Sequence, residues 1–209
     1  MKKSIKFRDL KKQDVDFIYK CKNDEKLNRY VVGDWHPFSM DESEKWLLGC
    51  MTESPDFKFW AICTNDQREK IIGWVSLSKI DHINKTAHFH GIVIGDVDYQ
   101  DGIAWIESYQ LMFEKVFLDM KFQRLTGSHL SNHPASGIIA ECMFMNIDNV
   151  ESKAIEKEGK LIDHVLVSID SICYMEHYNK GDYEFNKIQK RIIQKYKSNR
   201  RVRPNTYDR

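Results

Sequence analysis

Residues 88–120 read His-Phe-His-Gly-Ile-Val-Ile-Gly-Asp-Val-Asp-Tyr-Gln-Asp-Gly-Ile-Ala-Trp-Ile-Glu-Ser-Tyr-Gln-Leu-Met-Phe-Glu-Lys-Val-Phe-Leu-Asp-Met, and this stretch organises the rest of the chain. Ala87 to Ile94 predicts a strand, Gly95 to Ile103 a short loop, and Ala104 onward a helix. Trp105, Tyr109, Met112, Val116 and Met120 recur at helical spacing, and Ile106, Phe113 and Phe117 widen the stripe into a core face. Gly102 and Ala104 leave almost no bulk where the helix opens. The first N–H groups of a helix have no partner within it, so a bare helix start attracts phosphate or diphosphate. Strand, small-residue turn and helix also join for architectural reasons alone, so the spacing by itself is a weak signal.

The chain has 209 residues, enough for one domain with a full core and an appended element. With 42% hydrophobic and 30% charged residues it reads as a globular protein, and no apolar run reaches the length of a bilayer span. Its start, Met1-Lys2-Lys3-Ser4, lacks the apolar segment of a secretion signal, which predicts a cytoplasmic location. Cys21, Cys50, Cys63, Cys142 and Cys173 are scattered singly, which argues against a disulfide framework and a structural zinc site and predicts reduced, mostly buried thiols. Charge is divided unevenly. Residues 187–209 hold nine of the 32 Lys and Arg against one of the 31 acids, so body and tail carry opposite signs.

The remaining elements follow from periodicity and turn signals. A strand at 4–9 precedes a helix from Asp14 to Asn23 with Val15, Ile18 and Cys21 inward. Asn28 to Pro37, with Tyr30, Trp35 and His36, predicts a structured loop. Ser39-Met40-Asp41-Glu42 is a capping box, and its helix aligns Trp46, Leu47, Cys50 and Met51. Phe57–Thr64, Ile71–Ile80 and Thr86–Ile94 predict an antiparallel meander, and Arg124–Leu130, reached through a helix, a strand parallel to the last of these. Pro134 suits a first helical turn leading to Ile138, Ile139, Cys142 and Met143. Val150–Ile155, a turn at Lys157-Glu158-Gly159-Lys160, and Leu161–Ile169 predict a closing hairpin. The class is α/β with a mixed sheet.

This order of elements, with specific stretches, resembles the GNAT (GCN5-related) N-acetyltransferases, in particular the branch acting on ribosomal-protein N-termini and amino sugars. Phe7-Arg8-Asp9-Leu10 with Asp14-Val15 resembles that branch's opening, Phe59-Trp60-Ala61-Ile62 and Ile71-Ile72-Gly73-Trp74-Val75 its second and third strands, and Glu158-Gly159-Lys160 with Asp163 its closing hairpin. Phe89 to Gly95 is similar to a strand of pseudaminic-acid acetyltransferases. The likeness spans about residues 4–175. It implies one domain at 1–178, with a mixed, mostly antiparallel sheet of about seven strands and four flanking helices, followed by a basic helical extension at 179–209.

The family's acyl-CoA motif, Gln/Arg-x-x-Gly-x-Gly/Ala, corresponds to Tyr99-Gln100-Asp101-Gly102-Ile103-Ala104, which keeps the last two anchors and has tyrosine at the first. The resemblance implies acetyl-CoA as co-substrate, held by Ile92, Val93 and Ile94, by this loop, and by Asn132. Ile139 stands where the family usually has a tyrosine that protonates the departing thiolate. Asp101 opposes a diphosphate electrostatically, whereas Gln100 offers an uncharged donor.

Direct attack by a primary amine on a thioester needs a base, because an ammonium has no lone pair. On chemical grounds His90 ranks first, His129 second, and His88, two residues from His90, shares its face toward substrate. A packed, hydrogen-bonded histidine is the more ordinary role for each of these taken singly, and a His88, His90, His129 metal site lacks a carboxylate or outer-sphere signature. Tyr30, Trp35 and His36 lie where the family builds its acceptor wall, and such rings suit a sugar or a uracil base or simply cap the core. The predicted partner is a small amine, a nucleotide-linked amino sugar before a peptide N-terminus. A second copy of the chain is a further candidate partner. Two other readings stand beside this one: an acyl-CoA-binding module without catalysis, and an adaptor whose tail (Ile188, Ile192, Ile193 and Tyr196 amid basic residues) binds nucleic acid or an anionic membrane. A helix packed on the acidic body accounts for that tail more simply, since it lacks a series of rings for base stacking.

Overall fold

A computed structural model of the chain describes residues 3–32 and 35–202. Seven strands form one sheet in the order β1-β2-β3-β4-β5-β7-β6. They are β1 (Ile5–Arg8), β2 (Lys58–Thr64), β3 (Ile71–Asp81), β4 (Thr86–Ile94), β5 (Arg124–Leu130), β6 (Asn146–Lys157) and β7 (Lys160–Asp170). Only β4 and β5 run parallel, as expected for strands joined through a helix.

The described helices are α1 (Val15–Lys22), α2 (Glu25–Asn28), α3 (Met40–Met51), α4 (Ile103–Phe113), α5 (Ser136–Cys142), α6 (Ser171–Asn179) and α7 (Phe185–Val202). The capping box forms as expected: Glu42 N–H donates to Ser39 Oγ at 3.2 Å, and Ser39 N–H to Glu42 Oε2 at 2.7 Å. One sheet face packs Ile72, Phe89 and Leu125 into a core with Met112 and Phe113 of α4, and the other packs Trp74 with Ile18 and Cys21 of α1 and Leu47 of α3.

Several expectations are corrected. The presumed loop at 28–37 begins inside α2, whose cap Asp24 accepts from Lys26 N–H and Leu27 N–H. Helix α5 starts at Ser136 and not at Pro134, because His133 Nδ1 accepts from Ala135 N–H and Ser136 N–H and caps it there. Seven helices, not four plus one, stand among the described residues. β6 starts at Asn146, and its register shifts at 147–149 and 151–155, at the sheet's edge, break the alternation that locates a strand in sequence. Helix α4 passes into a π-helical segment, Glu114–Asp119, which rotates the stripe. Met120, just beyond it, and Trp105, in the first turn of α4, are half-buried against the core; Trp105 packs edge-on against Tyr109 with ring centroids 5.1 Å apart.

The described part of the predicted extension, 179–202, lies against the body, and its last seven residues lie outside the described residues. Ile188 is fully buried, Arg191 donates to the carbonyls of Cys142 and Asp182 and sits 4.5 Å from the Phe144 ring centre, and Lys195 pairs with Glu141.

A single bulge positions the site. Val75 pairs with Ile92 and Leu77 with Phe89, so Ser76 faces two residues, His90 and Gly91. Gly91 takes φ +90°, a left-handed conformation that glycine adopts without strain. The bulge flips the alternation: Ala87 and Phe89 face α4, and beyond it Ile92 and Ile94 do. Pairing of β4 with β5 ends at Phe89–Gly127, so the two strands part from there on. Close approach matters at Gly73, where a Cβ would lie 2.0 Å from the Val93 carbonyl oxygen. Gly73→Ala is expected to push β3 off β4 and lower stability by about 1–3 kcal/mol, read as a lower urea midpoint.

Candidate active site

Beyond the bulge the backbone of β4 from Ile92 to Ile94 stays paired with β3 on one side and faces the opening on the other. Outward-facing N–H groups there have no strand to meet, which is the arrangement that polarises a thioester carbonyl. The opening continues into a cleft of about 920 Å³. Ile94, Tyr99, Gln100, Asp101, Gly102 and Trp105 line it on one side, and Ala135 and Ile139 at the start of α5 on another. Of the residues expected at the coenzyme, Ile92, Val93, Ile103 and Ala104 do not line this cleft. Asn132 lies exposed in the turn after β5.

The loop before α4 is built differently from the simple bare tip expected. Gly102 precedes the helix at φ +91°. Gln100 does not reach outward: its Nε2 donates to the Ile94 carbonyl at 2.9 Å and stitches the loop to β4. Asp101 Oδ1 accepts from Ile103 N–H at 2.8 Å, so a carboxylate occupies one of the free donors of the helix start. Tyr99, at the position of the missing Gln or Arg, is half-buried, with Lys70 Nζ 5.7 Å from its ring centre. Ile139, buried at 4% exposure, places an aliphatic wall where a hydroxyl was the family expectation.

On the sheet face opposite α4, β4 presents His88 and His90, with ring centroids 5.1 Å apart. Thr126 Oγ1 donates its proton to the Ala87 carbonyl at 3.2 Å, so its 3.0 Å contact with His88 Nδ1 is a bond donated by the imidazole. His88 therefore keeps its lone pair at Nε2. Burial, and then the neighbouring His90, lowers its pKa to about 4. His90 Nε2 lies 2.5 Å from Ser78 Oγ, and burial followed by the charge of Lys79 lowers its pKa from the usual histidine value. Both imidazoles are neutral at pH 7.

His129 is separated from this pair. Leu125, Gly127 and His129 alternate toward the α4 side of β5, and Thr126 toward the histidine side. His129 Nδ1 contacts the Leu130 carbonyl at 3.1 Å, and its ring lies beside Gly137 of α5, so the three histidines do not converge. Among the described residues no group of three His, Cys, Asp or Glu side chains converges to hold a metal.

The three proposed wall residues also separate. The Tyr30 ring packs on His133, 4.7 Å between centroids, beside the start of α5. Trp35 Nε1 instead donates to the Lys22 carbonyl at the end of α1, and His36 stacks on Phe38 at 5.2 Å. Sequence reasoning missed Ser78, Thr126, His133 and the α2 residues Asp24, Lys26 and Leu27 that line the cleft. Ser78 and Thr126 come beside the two histidines through cross-strand register, which strand limits read from sequence do not state.

Residues 4–143 match the model of the acetyltransferase (GNAT) domain. The chain belongs to the GNAT acetyltransferases, acyl-transferring enzymes whose co-substrate is acetyl-CoA. Compared with curated proteins, it matches none. Among solved structures it is similar to a spermidine N-acetyltransferase from Vibrio cholerae in complex with CoA and spermine, with TM-score 0.72 and 17% identity over 82% of this chain and 98% of that one. An acetyltransferase (GNAT family) from Bacillus anthracis superposes with TM-score 0.69 at 16% identity, over 82% and 98% of the two chains. A GCN5-related N-acetyltransferase from Brucella melitensis gives TM-score 0.69 at 18% identity, over 84% and 79%. These likenesses speak for the fold. No helix among the described residues is long and apolar enough to cross a membrane.

Proposed function

We propose that the chain acetylates the primary amine of a small, hydroxyl-bearing molecule, a nucleotide-linked amino sugar being the acceptor the site suits best. The observation that carries this reading is the bulge at His90 and Gly91, which opens β4 from β5 and places a neutral imidazole on the strand that borders the opening. Acetyl-CoA supplies an activated acyl carbon. The amine nitrogen forms a bond to it, the carbon–sulfur bond breaks, and one proton must leave the nitrogen while the thiolate departs.

His90 is the base in this reading. In this reading Nε2–H donates to Ser78 Oγ and the lone pair sits on Nδ1, with Ser78 as a positioning residue that holds the ring. His88, further depressed to about 4, is the weaker base and serves by its Nε2 acceptor toward substrate. Donors on β4 stabilise the oxyanion. With Ile139 at the place of the family tyrosine, the thiolate takes its proton from solvent or from the protonated base.

The acceptor class rests on charge. Among the described residues the charged groups acting on the histidine pair are Lys79 and His164, with no carboxylate among them. Lys79 adds positive potential at His90. A polyamine needs free carboxylates, whereas Ser78, Thr126 and an imidazole Nε2 suit hydroxyls, and the Tyr30 ring suits a sugar face or base. The polyamine reading is kept as a second one because several fold relatives are spermidine acetyltransferases. Calorimetry with acetyl-CoA, followed by turnover on UDP-linked amino sugars, peptide N-termini and spermidine, tests the proposal. Fastest turnover of the amino sugar is expected. Preference for spermidine or a peptide overturns the acceptor class, and coenzyme binding without turnover of any amine overturns catalysis.

A further inference from the structure

The matched domain ends at residue 143, yet the donor cleft is completed by a helix far beyond it. Gln189, Ile192, Ile193 and Tyr196 line the cleft across from the α4 tip. Their spacing, three, four and seven residues on from Gln189, puts all four on one face of α7. The helix is a fixed wall, anchored by buried Ile188, by the two bonds of Arg191, and by Tyr196 Oη, which donates to the Pro134 carbonyl at 3.4 Å. The charged side chains lining the cleft are Asp24, Asp101 and Lys26, formally an excess of one negative charge facing a polyanionic coenzyme. The usual basic or amide anchor is Tyr99, and Ile103 N–H is already bonded to Asp101.

We propose that α7 is one wall of the acyl-donor site, with its Gln189–Ile193–Tyr196 face lying along the phosphate-bearing stretch of the coenzyme opposite the α4 tip. This rests on the acetyl-CoA reading above and adds to it a role for a segment outside the matched domain. An apolar wall supplies contact area and excludes water, so the phosphates depend on the few N–H groups left at the α4 tip. Position 193 is a sensitive reporter, because its side chain lines the cleft yet is 47% exposed and can carry a charge without unfolding the helix.

The experiment is CoA binding by calorimetry to the full chain and to Ile193→Glu and Ile193→Lys, at low and high salt, with thermal midpoints as a fold control. Glutamate is expected to weaken binding and lysine to tighten it, each by about three- to tenfold at low salt, and both effects should shrink as salt screens them. Equal affinity for all three proteins, or loss in both variants, overturns the placement of α7 along the phosphates. Failure of the unaltered chain to bind CoA at all is a different result: it removes the donor reading itself, and this inference with it.

Discussion

His90→Ala is expected to lower kcat by about 10²–10⁴, the usual contribution of a positioned base, while leaving acetyl-CoA affinity unchanged. The side chain lies on the sheet face away from α4, whereas the donor cleft opens by the α4 tip, so removing the imidazole should not disturb the coenzyme. The pH profile gives the sharper readout. Because the pKa is lowered from 6.5, the base is neutral across the physiological range, and kcat/KM should decline only as pH falls below about 6.5. The variant should lose that acid limb. Ser78→Ala should cause a smaller loss of kcat with little change in KM, since the imidazole remains but loses the hydroxyl that holds its ring. If His90→Ala retains both the rate and the acid limb, another group takes the proton.

Asp101→Asn should tighten acetyl-CoA binding by about tenfold, the reverse of what replacement of a cleft residue normally does. Asparagine keeps the oxygen that caps Ile103 N–H, so the loop geometry is retained, while the negative charge beside the expected diphosphate disappears. A unit charge about 5 Å away is worth on the order of 1–3 kcal/mol between the water and protein-surface limits of dielectric screening. A small cost in stability, about 0.3–1 kcal/mol, accompanies the gain because an acid at a helix start interacts favourably with its dipole. Calorimetry at two salt concentrations measures the effect, and affinity unchanged by the substitution would place the diphosphate somewhere other than the α4 tip.

Much of the fold was legible in the chain because it depends on local signals. Short apolar runs bounded by polar turns mark β2, β3 and β4, the Ser39–Glu42 box marks the start of α3, and the helical stripe from Tyr109 to Phe117 marks the core face of α4 and the segment after it. Gly102 marks the opening of α4 in the same way, but the Asp101 carboxylate over Ile103 N–H was not legible there. Other features were not. The π-helical turn after Phe113 and the edge bulges of β6 break the periods by which elements are recognised, so their limits could not be placed.

The sequence by itself determined which chemistry was available: an α/β chain with histidines on one strand, a small-residue turn before a long apolar helix, and a basic amphipathic tail. Tertiary structure alone decided how these were shared out. It put His129 on the opposite sheet face from His88 and His90, turned Gln100 inward and Asp101 over the helix tip, sent Trp35 back to α1 and His36 onto Phe38, and brought α7 to the cleft. The reason is that a strand's alternation states which residues share a face, but only pairing, bulges and long-range packing state which faces meet.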